Sequence, residues 1–148
     1  MVNRSVPTAE EMLSFYVKGQ PQPYQRPGGG KSGKRFTEKE TAAAISAIMT
    51  AAGKAMNLAG WPAASSRRVK NKFELRGPRG EFHLSLCFSC AAGKPRGDID
   101  NLAKTVLDAL TKACVWWDDK MCTRIAAEIF ETDGEPGTVI IVTRREEA

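Results

Sequence analysis

Two aspartates two residues apart, Asp98 and Asp100, open the amphipathic run "GDIDNLAKTVLDAL" (97–110), and a second acidic pair, Asp118 and Asp119, stands in "VWWDDK". In extended backbone, side chains two apart point the same way, so the first pair can converge on one point. On the helix that follows, Lys104 falls four residues beyond Asp100 and Asp108 four further, stacked on one face. Carboxylate oxygens suit hard cations such as Mg2+, which keep several waters and leave room for a phosphate. A metal held by Asp98, Asp100 and an aspartate of the WWDD turn could orient a water and stabilise charge developing on a phosphodiester. Lys104 would serve as a fixed cation at the same phosphate. The scheme needs the WWDD turn to swing back toward the helix start.

Each piece also has a plainer account. An aspartate at a helix N-terminus caps free N–H groups and suits the macrodipole. A lysine and an aspartate four apart on a helix form a surface ion pair, and an Asp-Asp turn can be only a turn. The catalytic reading rests on their combination with cationic loops that would bring an anionic substrate to an acidic pocket.

The elements that must position these groups can be read in outline. "LSFYVKG" (13–19) reads as a strand closed by Gly19. "QPQPYQRPGGGKSGKRFT" (20–37) is a loop dense in proline, glycine and cations. Its "GGGKSGK" lacks both the spacing and the preceding strand of a phosphate-binding loop. As a basic loop it could lie along a phosphate backbone through Arg26, Lys34 and Arg35, or be no more than a solvated linker. Thr37 and Glu40 form a capping box for an alanine-rich helix carrying Ile45, Ile48, Met49, Ala52 and Met56 at helical spacing, ended by Gly60 and Pro62. Residues 61–80 read as a second basic, turn-rich stretch, a solvated face or a second cationic arm. "EFHLSLCFSC" (81–90) alternates as a strand, with Phe82, Leu84, Leu86 and Phe88 on one side and His83, Ser85 and Cys87 on the other. A helix from about Asp100 to Cys114 follows, then the WWDD turn and the strands "CTRIAAEIFE" and "TVIIVTR", joined by "TDGEPG". The order β–α–β–α–β–β predicts an α+β fold, a small mixed sheet with helices packed on it, in a single domain over 1–148.

Composition sets the outer bounds. The 148 residues, 42% hydrophobic, suffice for one real core. With 22 Lys and Arg against 17 Asp and Glu, the net charge of +5 points to an anionic partner, nucleic acid first. No stretch approaches the roughly 20 apolar residues of a bilayer span, and "MVNRSVPTAEEMLSFYVKG" has no signal-peptide core. The expectation is therefore a cytoplasmic protein with no membrane partner, whose four cysteines stay thiols. "CFSC" has zinc-ligand spacing, yet on a strand Cys87 and Cys90 face opposite ways, with no second such pair and one histidine in the chain. Small apolar packing explains them better, and His83 reads as a packed or surface residue.

At the acidic residues the sequence resembles the RusA family of Holliday junction resolvases of bacteria and their phages. The family pattern D-x-D-N-L-x-K stands here as "DIDNLAK" (98–104), followed by "LDAL" (107–110) and "WWDD" (116–119), with "GQPQPYQRP" early and "EPG" (135–137) late. The resemblance implies a small α+β homodimer that resolves four-way junction DNA by paired nicks in recombination and repair. Each subunit would supply one Mg2+-dependent site, with Mn2+ as a substitute. It casts Asp98, Asp100 and Asp119 as metal carboxylates and Lys104 as the catalytic lysine, with Asp118, Asp108 and Asn101 in support. Two positions depart from the pattern: Gly97, where the family often has proline or a basic residue, and Cys114, where it commonly has a helix-ending glycine. The competing functions are a non-catalytic nucleic-acid-binding module and a metal-dependent nuclease for other branched DNA or RNA.

Overall fold

The computed structural model describes residues 10–25 and 38–145. Arg26, Lys34, Arg35 and the capping Thr37 lie outside the described residues. The elements are β1 (Glu10–Lys18), α1 (Glu38–Ala59), β2 (Ser65–Val69), β3 (Lys72–Arg76), β4 (Glu81–Ala91), α2 (Ile99–Lys112), a single 3-10 turn (Asp119–Met121), β5 (Cys122–Thr132) and β6 (Gly137–Arg145). Four strands form a mixed sheet in the order β1-β6-β4-β5, with β4 and β5 parallel and the other pairs antiparallel. A parallel pair needs a crossover connection, and α2 supplies it. This is the α+β architecture expected from the sequence.

Alternation along β4 decides which face is covered. Phe82, Leu84, Leu86, Phe88 and Cys90 are buried, while Ser85 is exposed and His83 and Cys87 are half-buried. Cys87 and Cys90 thus occupy opposite faces, and burial pushes the Cys90 thiol up. Ile45, Ile48, Ala52 and Met56 of α1 and Leu102, Val106, Ala109 and Leu110 of α2 close over the covered face. Trp116 is fully buried and meets Phe82 edge to face at 5.5 Å between centroids, a favoured geometry for an aromatic pair. Among the described residues Arg144 of β6 is the buried charge: its guanidinium reaches Glu11 of β1 at 2.7 Å and donates to the Arg79 carbonyl at 3.0 Å.

Two expectations need correction. The stretch 61–80 is not only turns: β2 and β3 make a two-stranded antiparallel ribbon, separate from the main sheet. Its connection is the pair Lys70-Asn71, both at positive φ (49° and 66°), as a twist-matched two-residue hairpin requires. Without an Asn-Gly or Asp-Gly pair, and with cations on both flanks, it carried no hairpin signal. Second, α1 at 22 residues is long and apolar enough by composition to cross a membrane. Its alanines raise the hydropathy while adding little apolar area, and its larger side chains pack onto the sheet and α2. In the sheet, β5 and β6 are consecutive in sequence yet not neighbours, because β6 inserts between β4 and β1.

Candidate active site

The start of α2 is shaped by the segment that follows β1. Gln20 accepts from the Ala91 N–H at 2.8 Å and donates to the Pro95 carbonyl at 3.2 Å. The Tyr24 N–H donates to the Asn101 carbonyl at 3.1 Å, and the Thr41 hydroxyl donates to the Pro23 carbonyl at 2.9 Å. Residues 20–25 are therefore a strap tying β4, α1 and the mouth of α2 together. Gly97 is buried beneath it, and a Cβ there would overlap the Pro23 ring. The departure at Gly97 thus has a local reason: the proline ring fills the space a side chain would need. A Gly97→Val protein is expected to lose about 1–3 kcal/mol by overpacking and to displace Tyr24. Denaturant unfolding would check the loss, and a crystal structure of the variant the displacement.

Asp98 sits at the N-cap position in extended conformation (φ −69°, ψ 154°), yet its side chain makes no capping hydrogen bond. Its backbone carbonyl accepts the first helical bond, from Leu102 at 2.9 Å. The capping account of this aspartate therefore fails, and its exposed carboxylate remains available. Asp100, also exposed, lies in the first turn, where the helix dipole favours negative charge. The Lys104 ammonium lies 4.8 Å from the centroid of the Tyr24 ring. That cation–π contact holds the lysine over the strap, on the face it shares with Asp100.

The second acidic pair lies elsewhere. Val115 N donates to the Leu110 carbonyl and Cys114 N to that of Thr111, both at 3.0 Å, and Cys114 has φ +64°. This is the left-handed helix-ending motif, formed here on a cysteine in the place of the usual glycine. It turns the chain so that Trp116 enters the core and Asp118 caps the 3-10 turn, accepting from the Lys120 N–H at 3.0 Å. That bond, with one from Asp119, holds the Asp118 carboxyl below its ordinary value. The hydrogen bond with Asp118, burial and the charges of Asp118 and Asp108 push the Asp119 carboxyl up.

Asp108, whose charge is felt at Asp119, lies ten residues along α2 from Asp98, about 15 Å at the helical rise of 1.5 Å per residue. The topology says the same: Asp98 follows the end of β4, whereas the turn leads into Cys122, paired with Phe82 at the start of β4. Among the described residues, no group of three His, Cys, Asp or Glu side chains is placed to hold one metal ion. The expected swing of WWDD back to the helix start does not occur within one chain. A crossover between parallel strands must carry α2 along the sheet, and the buried Trp116 pins the turn at its far end. Asp108 also differs from expectation, since it pairs with Lys112 at 3.1 Å and leaves Lys104 to Tyr24.

The model of the endodeoxyribonuclease RusA family matches residues 18–143, which take in the strap, both acidic groups and Lys104. The chain belongs to the RusA endodeoxyribonuclease family. No curated protein matched it. RusA membership makes the coarse function that of a nuclease family, and it separates residues the pattern contained from those it hid. Tyr24 is the residue sequence reasoning missed: it lay within "GQPQPYQRP", but only the fold brings it under Lys104. As for the metal, the paired carboxylates at the mouth of α2 have the chemistry of a hard-cation donor set. Asp119, crowded by Asp118 and Asp108, is where added positive charge would be favoured. In this chain the two acidic groups lie at opposite ends of α2.

Proposed function

We propose that the protein is a divalent-metal-dependent endonuclease that nicks four-way DNA junctions in recombination and repair, acting as a homodimer. The observation that carries this reading is Asp98: it stands at a cap position without capping, beside Asp100 and below Lys104, inside the RusA match. Asp98 and Asp100 would hold Mg2+, or Mn2+ in its place. When bound, the ion supplies positive charge against the phosphate and a water of lowered pKa. Lys104, steadied by Tyr24, presents its ammonium to the same phosphate and offsets the charge that grows there. Arg26, Lys34 and Arg35, just beyond the strap in sequence, would grip the DNA backbone.

What supports a second copy is the separation of the carboxylates. β5 is an edge strand carrying the exposed Ile125 (44%) and Phe130 (51%). Antiparallel pairing of two β5 edges about a two-fold axis sets the end of each strand beside the start of the other. Because α2 begins near the end of β4 and finishes near the start of β5, Asp98 and Asp100 of one protomer would then approach Asp119 of its partner. Pairing through β1, the other edge, would bring α1 to the seam instead. Each site would take its carboxylates from both chains.

The test is a cleavage assay on a synthetic four-way junction with Mg2+, with Mn2+ and with chelator, alongside duplex, flap and RNA substrates. Metal-dependent nicking of the junction in preference to the others is expected. Absence of nicking by the wild-type protein with every divalent metal would end the nuclease reading.

A further inference from the structure

We infer that the β2–β3 ribbon is a DNA-binding arm that reads the branch point: its cations follow the phosphates and Phe73 stacks on a base face left unstacked there. The inference rests on the proposed junction substrate.

Charge singles the ribbon out first. Residues 65–76 hold five cations (Arg67, Arg68, Lys70, Lys72 and Arg76) against one acid, Glu74, in a chain whose whole net charge is +5. Most of the excess positive charge is thus concentrated in twelve residues. Burial singles it out again. Every residue of β3 is exposed, and Phe73 shows 74% of its surface to solvent. A two-stranded ribbon is marginal on its own, and here it presents an aromatic ring that packs into no core. Such a ring is left open to a contact from outside the chain.

Register then places the groups. Residues paired across an antiparallel ladder share a face, so Arg68 stands beside Phe73. Lys70 lies in the turn next to them, and Lys72, paired with Val69, stands on the other face. Cations beside an exposed ring are what binds single-stranded or unpaired nucleic acid, with phosphates on the charges and a base on the ring. The core of a protein interface would be depleted of such charges, so complementarity favours a polyanion as the occupant.

The root of the ribbon ties it to the site. The Trp117 indole donates to the Ser65 carbonyl at 3.0 Å, and the Ala64 N–H donates to the Cys114 carbonyl at 2.8 Å. Gly77, at φ +119°, passes so close to the Ala63–Ala64 backbone that a Cβ there would lie 2.6 Å from the Ala64 Cα. The arm is thereby clamped next to the turn that carries Asp118 and Asp119. Five residues at about 3.4 Å each give it a reach of roughly 17 Å, some five nucleotides from the acidic turn at about 3.4 Å per phosphate along a strand. An intact duplex leaves no base face unstacked over that span, whereas the opened centre of a four-way junction does.

The experiment measures binding by fluorescence anisotropy to a four-way junction and to a duplex of equal length, over a range of salt. Phe73→Ala should weaken junction binding about tenfold while leaving duplex binding unchanged. Phe73→Trp, which keeps a ring for stacking, should retain it. Lys70→Ala with Lys72→Ala should weaken binding to both DNAs and shrink the slope against log salt by about 1 per lysine lost. Circular dichroism and native mass are recorded for each variant. Junction affinity equal to wild type in the Phe73→Ala and double-lysine proteins overturns the arm, as does a loss explained by a changed oligomeric state. The nuclease reading fails separately: a wild-type protein that nicks nothing, yet binds junctions in a Phe73-dependent way, keeps the arm and loses the enzyme.

Discussion

An Asp100→Asn protein is expected to lose cleavage by on the order of a thousandfold while binding a four-way junction as tightly as wild type, or tighter. The substitution keeps the shape and one acceptor oxygen but removes the charge that holds a hard cation. Charge stabilisation by such an ion is worth several kcal/mol, which sets the size of the loss. Binding survives because a carboxylate near phosphates repels them, so its neutralisation does not weaken the complex. Stability should change little, since Asp100 is exposed and its support from the helix dipole is about 0.3–1 kcal/mol. Single-turnover nicking and a gel-shift titration on the same junction measure the two halves of the claim. Wild-type cleavage by this variant would remove Asp100 from the site.

Lys104→Met should lower the nicking rate by roughly 10²- to 10³-fold, the size seen when one positioned stabilising group is removed from a transition state. Methionine keeps an apolar stem against Tyr24, so the loss reports the missing ammonium and not collapse of the strap. Lys104→Arg should recover only part of the rate. A planar guanidinium presents its charge differently from a compact ammonium and would stack on the Tyr24 ring. Single-turnover rates at saturating metal separate these outcomes. A methionine variant within a fewfold of wild type would leave Lys104 as a strap contact only.

What could be read from the sequence was what local pattern controls. The alternation in "EFHLSLCFSC" placed β4 and its two faces, and the apolar spacing of Leu102, Val106 and Leu110 placed α2. The paired aspartates were visible because their spacing is itself the signal. Hidden were the features that depend on which strands meet. Nothing local says that β6 passes β5 to insert between β4 and β1, or that the crossover leaves Asp119 at the far end of α2. Asp108 looked like a partner for Lys104 because both directions along a helix face are open to it; the fold gave it Lys112. The Lys70-Asn71 turn was hidden by its residue types, since hairpin turns are commonly recognised through glycine. Cys114 shows the opposite case, where the geometry usual for glycine forms without it.

In the proposed homodimer each site is built from the start of one α2 and the acidic turn of a second copy. Co-expression of an Asp100→Asn chain and an Asp119→Asn chain under different tags, with purification through both, isolates the mixed dimer. If the sites are shared, one of its two sites carries both substitutions and the other carries neither. The mixed dimer is then predicted to nick a four-way junction on one strand, although each parent homodimer is inactive. A mixed dimer as inactive as its parents would contradict the account and return all the catalytic carboxylates to a single chain.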